Sequence, residues 1–258
     1  MALIHCDFFS ESLGLSTSMY VILPQKTQGQ IGMTGIAKGD SFPVLYLLHG
    51  MSDDHSIWLR RTSIERYVAP LSLAVVMPAA GRSFYADMKH GYKYETFIAK
   101  ELPSIVRSFF PISSRREDTF IAGLSMGGYG AFRLAMTYPE QYAAAASLSG
   151  VMDVLNFANR KERMADAFLA FGDPTAQEQK QIDIFSRAEE LSKQQYKNMP
   201  LYQCCGTEDF LYQGNVQFRD HAKTLKLDLT YEEEPGTHEW GFWDKKIQSV
   251  LHWLPLKK

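Results

Sequence analysis

The sequence predicts an α/β protein in which helices pack on both faces of a mostly parallel central sheet. Short apolar runs alternate along the chain with stretches of helical periodicity, which is typical of such folds. The runs 43–48 and 73–77 are almost wholly apolar, as expected for strands buried on both faces. No internal repeat is visible, and 258 residues suit one α/β domain. We therefore expect a single domain over residues 1–258.

Composition and charge argue against several other classes of protein. Hydrophobic residues make up 45% of the chain and charged residues 22%, which is enough apolar surface for a folded core. The net charge is −2 and no run of basic residues exceeds two, so nucleic acid is not an expected partner. Three cysteines without a C-x-x-C motif favour a reducing compartment. No signal-peptide pattern or membrane-spanning stretch is visible, so we expect a cytoplasmic protein with no membrane partner.

Strands are predicted where apolar runs end at glycine, proline or polar residues. These runs are 18–23, 43–48, 73–77, 119–122, 143–148, 200–205 and 227–231. Residues 25–42 contain four glycines among many polar residues, so we expect a connection there.

Helices are predicted where apolar residues recur with a period near 3.6. This periodicity covers 94–110, 129–138 and the closing segment 240–254. The segment 151–197 is charged, helical in character and longer than a crossover needs. We interpret it as a helical insertion that forms either a lid over the sheet or an ordinary crossover of two helices.

The strongest chemical motif is G-x-S-x-G at residues 123–127, centred on Ser125. A predicted strand precedes it and a helical pattern follows it, which is the context of a nucleophile elbow. The turn is sharp and neighbouring backbone must pass close by, so the flanking positions must be small. The alternative interpretation is a glycine-rich turn with an incidental serine.

A serine nucleophile needs a histidine base, which in this architecture comes last in the chain. Three histidines follow Ser125. We expect His221 on a solvated helix face and His252 in a packing role in the closing helix. His238 lies in the turn after the last predicted strand, at the carboxyl end of the sheet, so we predict that it is the base.

The acid that orients the base should follow the preceding strand, where Glu208 and Asp209 compete. We favour Asp209 because a G-x-x-D turn returns the carboxylate over the end of the strand. Glu208 is then expected to point to solvent.

An oxyanion hole needs two N–H donors. We predict that the N–H of Met126, which follows the nucleophile, provides one and that of Met51, after the tight turn at Gly50, the other. His49 is expected to form structural hydrogen bonds. Among the aromatic residues near this edge, Trp58 is the candidate substrate-binding residue. No metal-binding or nucleotide-binding motif is present, so no cofactor and no metal are expected.

Together these segments resemble a known group of enzymes. The segments that carry the resemblance are 46–50 (Y-L-L-H-G), Trp58, 123–131 (G-L-S-M-G-G-Y-G-A), 206–209 (G-T-E-D) and 238–240 (H-E-W). They are similar to the esterase D branch of the α/β-hydrolases, most of all to the tributyrin esterases of lactic acid bacteria and streptococci. S-formylglutathione hydrolases and mycolyltransferases of the antigen 85 type are more distantly similar. The likeness spans residues 18–254.

The resemblance implies an α/β-hydrolase fold and a serine carboxylesterase that cleaves small short-chain acyl esters, often as an oligomer. The formylglutathione hydrolases usually carry histidine where this chain has Tyr129, which argues against a thioesterase. The alternatives are a thioesterase or acyltransferase with the same three residues, and a catalytically silent binding module on the same fold.

Overall fold

The computed structural model describes residues 1–159 and 164–257. Within these residues the strands form one sheet of eight, in the order β1-β2-β4-β3-β5-β6-β7-β8. The strands are β1 Ala2–Ser10, β2 Leu15–Leu23, β3 Val44–Leu48, β4 Ala74–Pro78, β5 Thr119–Leu124, β6 Ala144–Leu148, β7 Leu201–Gly206 and β8 Leu229–Glu234. From β4 through β8 neighbouring strands are parallel, whereas β1 and β2 are antiparallel to their neighbours.

The helices divide between the two faces of this sheet. Their bounds are α1 Ile57–Arg61, α2 Ile64–Val68, α3 Tyr94–Thr96, α4 Leu102–Phe109, α5 Met126–Thr137, α6 Val154–Ala158, α7 Met164–Phe171, α8 Ala176–Ile182, α9 Ile184–Ser192, α10 Tyr212–Thr224 and α11 Trp240–Trp253. Buried residues of α1, α2 and α11 form the core on one face, and those of α4, α5, α9 and α10 form the core on the other. Strand β3 places Leu45 and Leu47 in the first core and Tyr46 in the second, because successive side chains point to opposite faces.

All seven predicted strands are present, with ends displaced by a few residues. Strand β1 was not predicted, because its outer residues Leu3, His5 and Asp7 are exposed and interrupt the apolar pattern. This edge strand pairs with β2 over nine residue pairs and adds an antiparallel hairpin to the parallel sheet. As predicted, 25–42 forms a connection between strands.

The predicted helix at 94–110 is helical from Tyr94 to Phe109, with a π-helical turn over Phe97–Glu101. The helix predicted at 129–138 begins earlier, at Met126. Among the described residues, no helix is long and apolar enough to cross a membrane.

The insertion 151–197 contains four helices in its described part, α6 to α9, and its residues 160–163 lie outside that part. Its second half is anchored on α5, where the Tyr129 hydroxyl donates to the carbonyl of Ile182 at 2.8 Å. Its first half contacts the loop between β4 and α3, where the backbone N–H of Lys89 donates to the carbonyl of Ala170 at 2.9 Å. The insertion therefore combines a crossover packed on the sheet with helices that reach the carboxyl end of the strands.

Candidate active site

Ser125 lies at the sharp turn between β5 and α5, with φ +53° and ψ −116°. Left-handed backbone is costly for a residue with a side chain, and here the surrounding structure enforces it. The N–H of Ser125 donates to the carbonyl of Leu148 on the neighbouring strand at 2.9 Å. A Cβ at Gly127 would lie 2.6 Å from the carbonyl oxygen of Leu48, and one at Gly123 2.4 Å from the backbone of Gly127. The motif glycines are thus required by backbone that passes in direct contact with the turn.

His238 and Asp209 lie at the same edge of the sheet as Ser125. Asp209 follows β7, and His238 lies between β8 and α11. The His238 Nε2 is 3.0 Å from the Ser125 Oγ, and its Nδ1 is 2.8 Å from the Asp209 Oδ2. The carboxyl ends of parallel strands meet at one edge, which explains how residues 113 positions apart come into contact.

The side chain of Asp209 is held in one orientation. Its side chain is wholly buried, and its Oδ1 accepts the N–H of Leu211 at 2.8 Å. The Oδ2 is thereby directed at His238, whose Nδ1–H donates to it. In this tautomer the Nε2 is left to accept the proton of the Ser125 hydroxyl, which is the arrangement needed for general-base activation of a serine.

Aromatic rings enclose the imidazole of His238. The ring of Phe210 lies 4.6 Å from it between centroids, and that of Trp243 lies 4.8 Å away and perpendicular. The Trp243 Nε1–H donates to the Ser149 Oγ at 3.1 Å, which holds the indole in place. These aromatic faces restrict the imidazole and attract it when it is protonated.

A cavity of about 400 Å³ opens beside Ser125. Its walls come from the loop after β3, the elbow, the insertion and the start of α11. The lining residues are Gly50, Met51, Ser52, Asp53, Leu124, Ser125, Met126, Val151, Phe157, Phe210, His238, Glu239, Trp240 and Trp243. A larger cavity of about 800 Å³ lies at the opposite, amino end of the strands, where Ser125 and His238 do not reach it.

The predicted oxyanion donors both border this cavity. Met126 is the first residue of α5, and the first N–H groups of a helix have no acceptor within it. Met51 lies in the loop after β3, where the N–H of Asp53 donates to the carbonyl of Gly50 at 3.2 Å and tightens the turn. The carboxyl of Asp53 also borders this cavity. Burial raises the pKa of this carboxyl above its ordinary value of 3.8.

His49 has a structural role, as expected. Its Nδ1–H donates to the carbonyl of Gly50 at 2.7 Å, and its Nε2 accepts the N–H of Ala80 at 3.0 Å. Burial lowers the pKa of this imidazole to about 4, so it is neutral at physiological pH. It therefore ties the loop after β3 to the loop after β4.

The structure does not support Trp58 as a substrate-binding residue. Its side chain is 1% exposed, does not border the cavity, and donates through Nε1 to the carbonyl of Leu48 at 3.1 Å. It packs edge-on against Trp240, at 5.3 Å between ring centroids, and Trp240 forms the cavity wall instead. The sequence contained a signal for this wall, since two tryptophans follow His238 within five residues, but the helical pattern indicated core packing.

Three further expectations for polar residues need correction. Glu208 is exposed but does not simply face solvent, because it accepts the N–H of Gly236. His252 is exposed rather than packed, and its Nδ1–H donates to the Gln248 carbonyl at 2.6 Å. His221 is only partly exposed, with its ring 5.3 Å from that of Phe185. In the described part of the chain, no three His, Cys, Asp or Glu side chains are placed to hold a metal ion.

Comparisons with known proteins identify chains that are similar over nearly the whole length. A model of the family described as "Putative esterase" matches residues 10–254. An acetyl esterase of Caldicellulosiruptor saccharolyticus is 30% identical over 262 residues, which cover 98% of each chain. The substrate-bound structure of the fluorophosphonate-binding serine hydrolase F of Staphylococcus aureus has a TM-score of 0.88 at 32% identity, covering 100% of this chain and 99% of that chain. The S-formylglutathione hydrolase of the same organism has a TM-score of 0.85 at 32% identity, covering 98% of each chain.

Proposed function

Because the chain belongs to this esterase family and is a serine ester hydrolase, we propose that it cleaves short-chain acyl esters through an acyl-enzyme on Ser125. Its sheet and helices form the α/β-hydrolase fold. The observation that carries the proposal is the pair of contacts made by His238, at 3.0 Å to the Ser125 Oγ and 2.8 Å to the Asp209 Oδ2, beside a cavity.

The reaction begins when the Ser125 Oγ attacks the ester carbonyl. His238 accepts the hydroxyl proton and then donates it to the departing alkoxide, which leaves an acyl group on Ser125. Asp209 holds the imidazole in the required tautomer and stabilises the imidazolium. A water molecule activated by His238 then attacks the acyl-enzyme and releases the acid.

The negative charge of the tetrahedral intermediate needs donors that are already in place. We assign this role to the N–H groups of Met51 and Met126, which border the cavity from two different loops. The start of α5 adds the positive end of a helix dipole at the same position.

The size of the cavity favours a short acyl chain. About 400 Å³ is near the lower end of the range for ligand pockets, and here it must hold both the acyl and the alcohol parts. The aromatic residues Phe157, Phe210 and Trp240 line it. The acetyl esterase relative and the resemblance to tributyrin esterases support acetyl to butyryl esters as substrates.

We expect the rate of ester hydrolysis to depend sharply on the length of the acyl chain and on Ser125. Turnover of p-nitrophenyl esters should fall beyond butyryl, and tributyrin should be a substrate. The Ser125→Ala variant should lose at least about 10⁴-fold in kcat/KM, while Ser108→Ala, on the exposed face of α4, serves as the matched control. Near-full activity of Ser125→Ala, or a preference for decanoyl esters, would contradict the proposal.

Thioester hydrolysis is the second candidate, because the S-formylglutathione hydrolase of Staphylococcus aureus is similar over 98% of this chain. Comparing kcat/KM for S-formylglutathione and for ethyl acetate separates the two substrate classes. Adding alcohols as competing acceptors tests acyl transfer in the same assay. A chain that turned over none of these substrates and did not react with a fluorophosphonate probe would be a binding module.

A further inference from the structure

The loops that carry Asp209 and His238 are joined along their backbones. The N–H of Thr207 donates to the carbonyl of Glu234 at 3.0 Å, and that of Glu208 donates to the carbonyl of Gly236 at 3.1 Å. The two chains are so close that a Cβ at Gly206 would lie 2.1 Å from the Gly236 oxygen. The loop after β7 and the loop after β8 are therefore hydrogen-bonded and closely packed against each other.

The side chain of Glu208 makes the same connection in the reverse direction. Its Oε2 accepts the N–H of Gly236 at 2.5 Å, and its Oε1 accepts the Thr207 hydroxyl at 2.8 Å. These hydrogen bonds lower the pKa of the Glu208 carboxyl below its ordinary value of 4.5, so the group is ionised at neutral pH. A charged acceptor strengthens a hydrogen bond relative to a neutral one.

The hydrogen bond between Glu208 and Gly236 lies next in sequence to Asp209 and His238. Glu208 directly precedes Asp209, and Gly236 lies two residues before His238. The Glu208–Gly236 bond thus crosses the same gap as the 2.8 Å contact between Asp209 and His238. We propose that Glu208 is a positioning residue, whose carboxylate holds the loop of His238 at the distance from Asp209 and Ser125 that catalysis needs. This inference rests on the proposed function of those three residues.

Loss of Glu208 should affect the chemical step more than folding or substrate binding. Glu208 is exposed and does not border the cavity, so its truncation changes neither the core nor the cavity wall. The freed N–H of Gly236 can bind water instead. Displacement of a catalytic group by about 1 Å can cost on the order of 10²-fold in rate, so partial loosening should cost about tenfold.

The test compares Glu208→Ala with Glu208→Gln, whose amide oxygen can still accept the N–H of Gly236. The matched control is Glu233→Ala, because Glu233 is an exposed carboxylate on β8 that bonds to Tyr212 and Arg219 instead of the loop. Each variant is assayed for kcat and KM with p-nitrophenyl butyrate. The rate of labelling of Ser125 by a fluorophosphonate is also measured, since it reports activation of the nucleophile alone.

We expect Glu208→Ala to lower kcat and the labelling rate about tenfold with KM changed less than twofold. Glu208→Gln should recover most of the loss, and Glu233→Ala should stay within about twofold of the parent. If Glu208→Ala unfolds at the assay temperature, Glu208→Asp provides the same test, because it keeps the charge but is one methylene too short.

Full labelling and kcat in Glu208→Ala, or equal losses in the Ala and Gln variants, would overturn the inference. Failure of the proposed function looks different, because the parent protein itself would then show no labelling of Ser125.

Discussion

The elbow around Ser125 and the loop that carries His238 are held in opposite ways. Every residue from Gly123 to Met136 except Ser125 is buried, and the turn contacts the backbone of β3 at Leu48 and of β6 at Leu148. Residues 235–239 alternate between exposed and half-buried, and hydrogen bonds and aromatic rings hold them. The proposed nucleophile therefore lies within the core of the protein, whereas the proposed base lies in a loop near its surface.

Because the elbow is buried and the loop of His238 is partly exposed, substitutions in the two regions should affect stability and catalysis differently. A change at an elbow glycine must disturb the core and the reaction together, because the same close contacts support both. A change near the loop can alter the reaction while most of the fold is kept, since few buried contacts depend on it.

The largest effect is expected for Gly127→Ala in the elbow. The new Cβ would meet the carbonyl oxygens of Leu48 and His49 at 2.6 and 2.7 Å, and these belong to backbone that cannot rotate away. We expect a loss of about 3 kcal/mol in the free energy of unfolding, together with loss of activity. Chemical denaturation measures the first and ester hydrolysis the second.

Gly29→Ala is the control for this change, because a Cβ there meets no atom within 4 Å. It should change the free energy of unfolding by less than about 0.5 kcal/mol. A Gly127→Ala protein as stable as the parent would show that the elbow is not constrained as described.

A smaller effect is expected for Trp243→Phe beside the loop. The phenyl ring keeps an aromatic neighbour for His238 but loses the hydrogen bond to the buried Ser149 Oγ. We expect a loss of about 1 kcal/mol in stability and of about threefold to tenfold in kcat/KM. Thermal unfolding and hydrolysis of p-nitrophenyl butyrate measure the two effects.

The same helix provides the control. Trp253, at the far end of α11, donates through Nε1 to the Thr230 hydroxyl at 3.2 Å. Trp253→Phe should produce a stability loss of about 1 kcal/mol or less and leave kcat/KM unchanged. If both substitutions lowered kcat/KM equally, the effect would come from the helix as a whole and not from the ring beside His238.

The smallest effect concerns pH. The pKa of Glu208 is lowered in the folded protein by the N–H of Gly236 and the Thr207 hydroxyl. The contribution of this contact is therefore complete above the ordinary pKa of 4.5 and is lost as the pH falls through the lower folded value. The hydrogen bonds that hold the elbow involve backbone groups and do not titrate.

Hydrogen exchange read by mass spectrometry, expressed as protection factors, measures this difference. Between pH 6 and pH 3, protection of peptides over 234–240 should fall while that of peptides over 121–130 is kept. The Glu208→Gln variant should show a smaller fall in the loop, since its amide does not titrate in this range, whereas Glu234, whose pKa is lowered by Lys245 and Lys246, still does. Equal loss of protection in both regions would indicate global acid unfolding instead.

Much of the fold could be predicted because its signals are local. The apolar runs of β3 and β4 and the glycines around Ser125 reflect contacts that the sequence pattern reports directly. Strand β1 was missed because it lies at the sheet edge, where one face is exposed and the apolar pattern is weak. Local patterns thus predict best where an element is buried on both sides.

The sequence by itself determined the α/β class, the glycine-flanked turn at Ser125 and the chain order of the proposed nucleophile, acid and base. These depend on steric limits at a turn and on hydrophobic periodicity, which act over a few residues. Only the tertiary structure decided that Trp240 and not Trp58 borders the cavity, and that Glu208 reaches Gly236. Both depend on how separate loops meet at the edge of the sheet, and side-chain contacts between distant segments leave no periodic trace in the sequence.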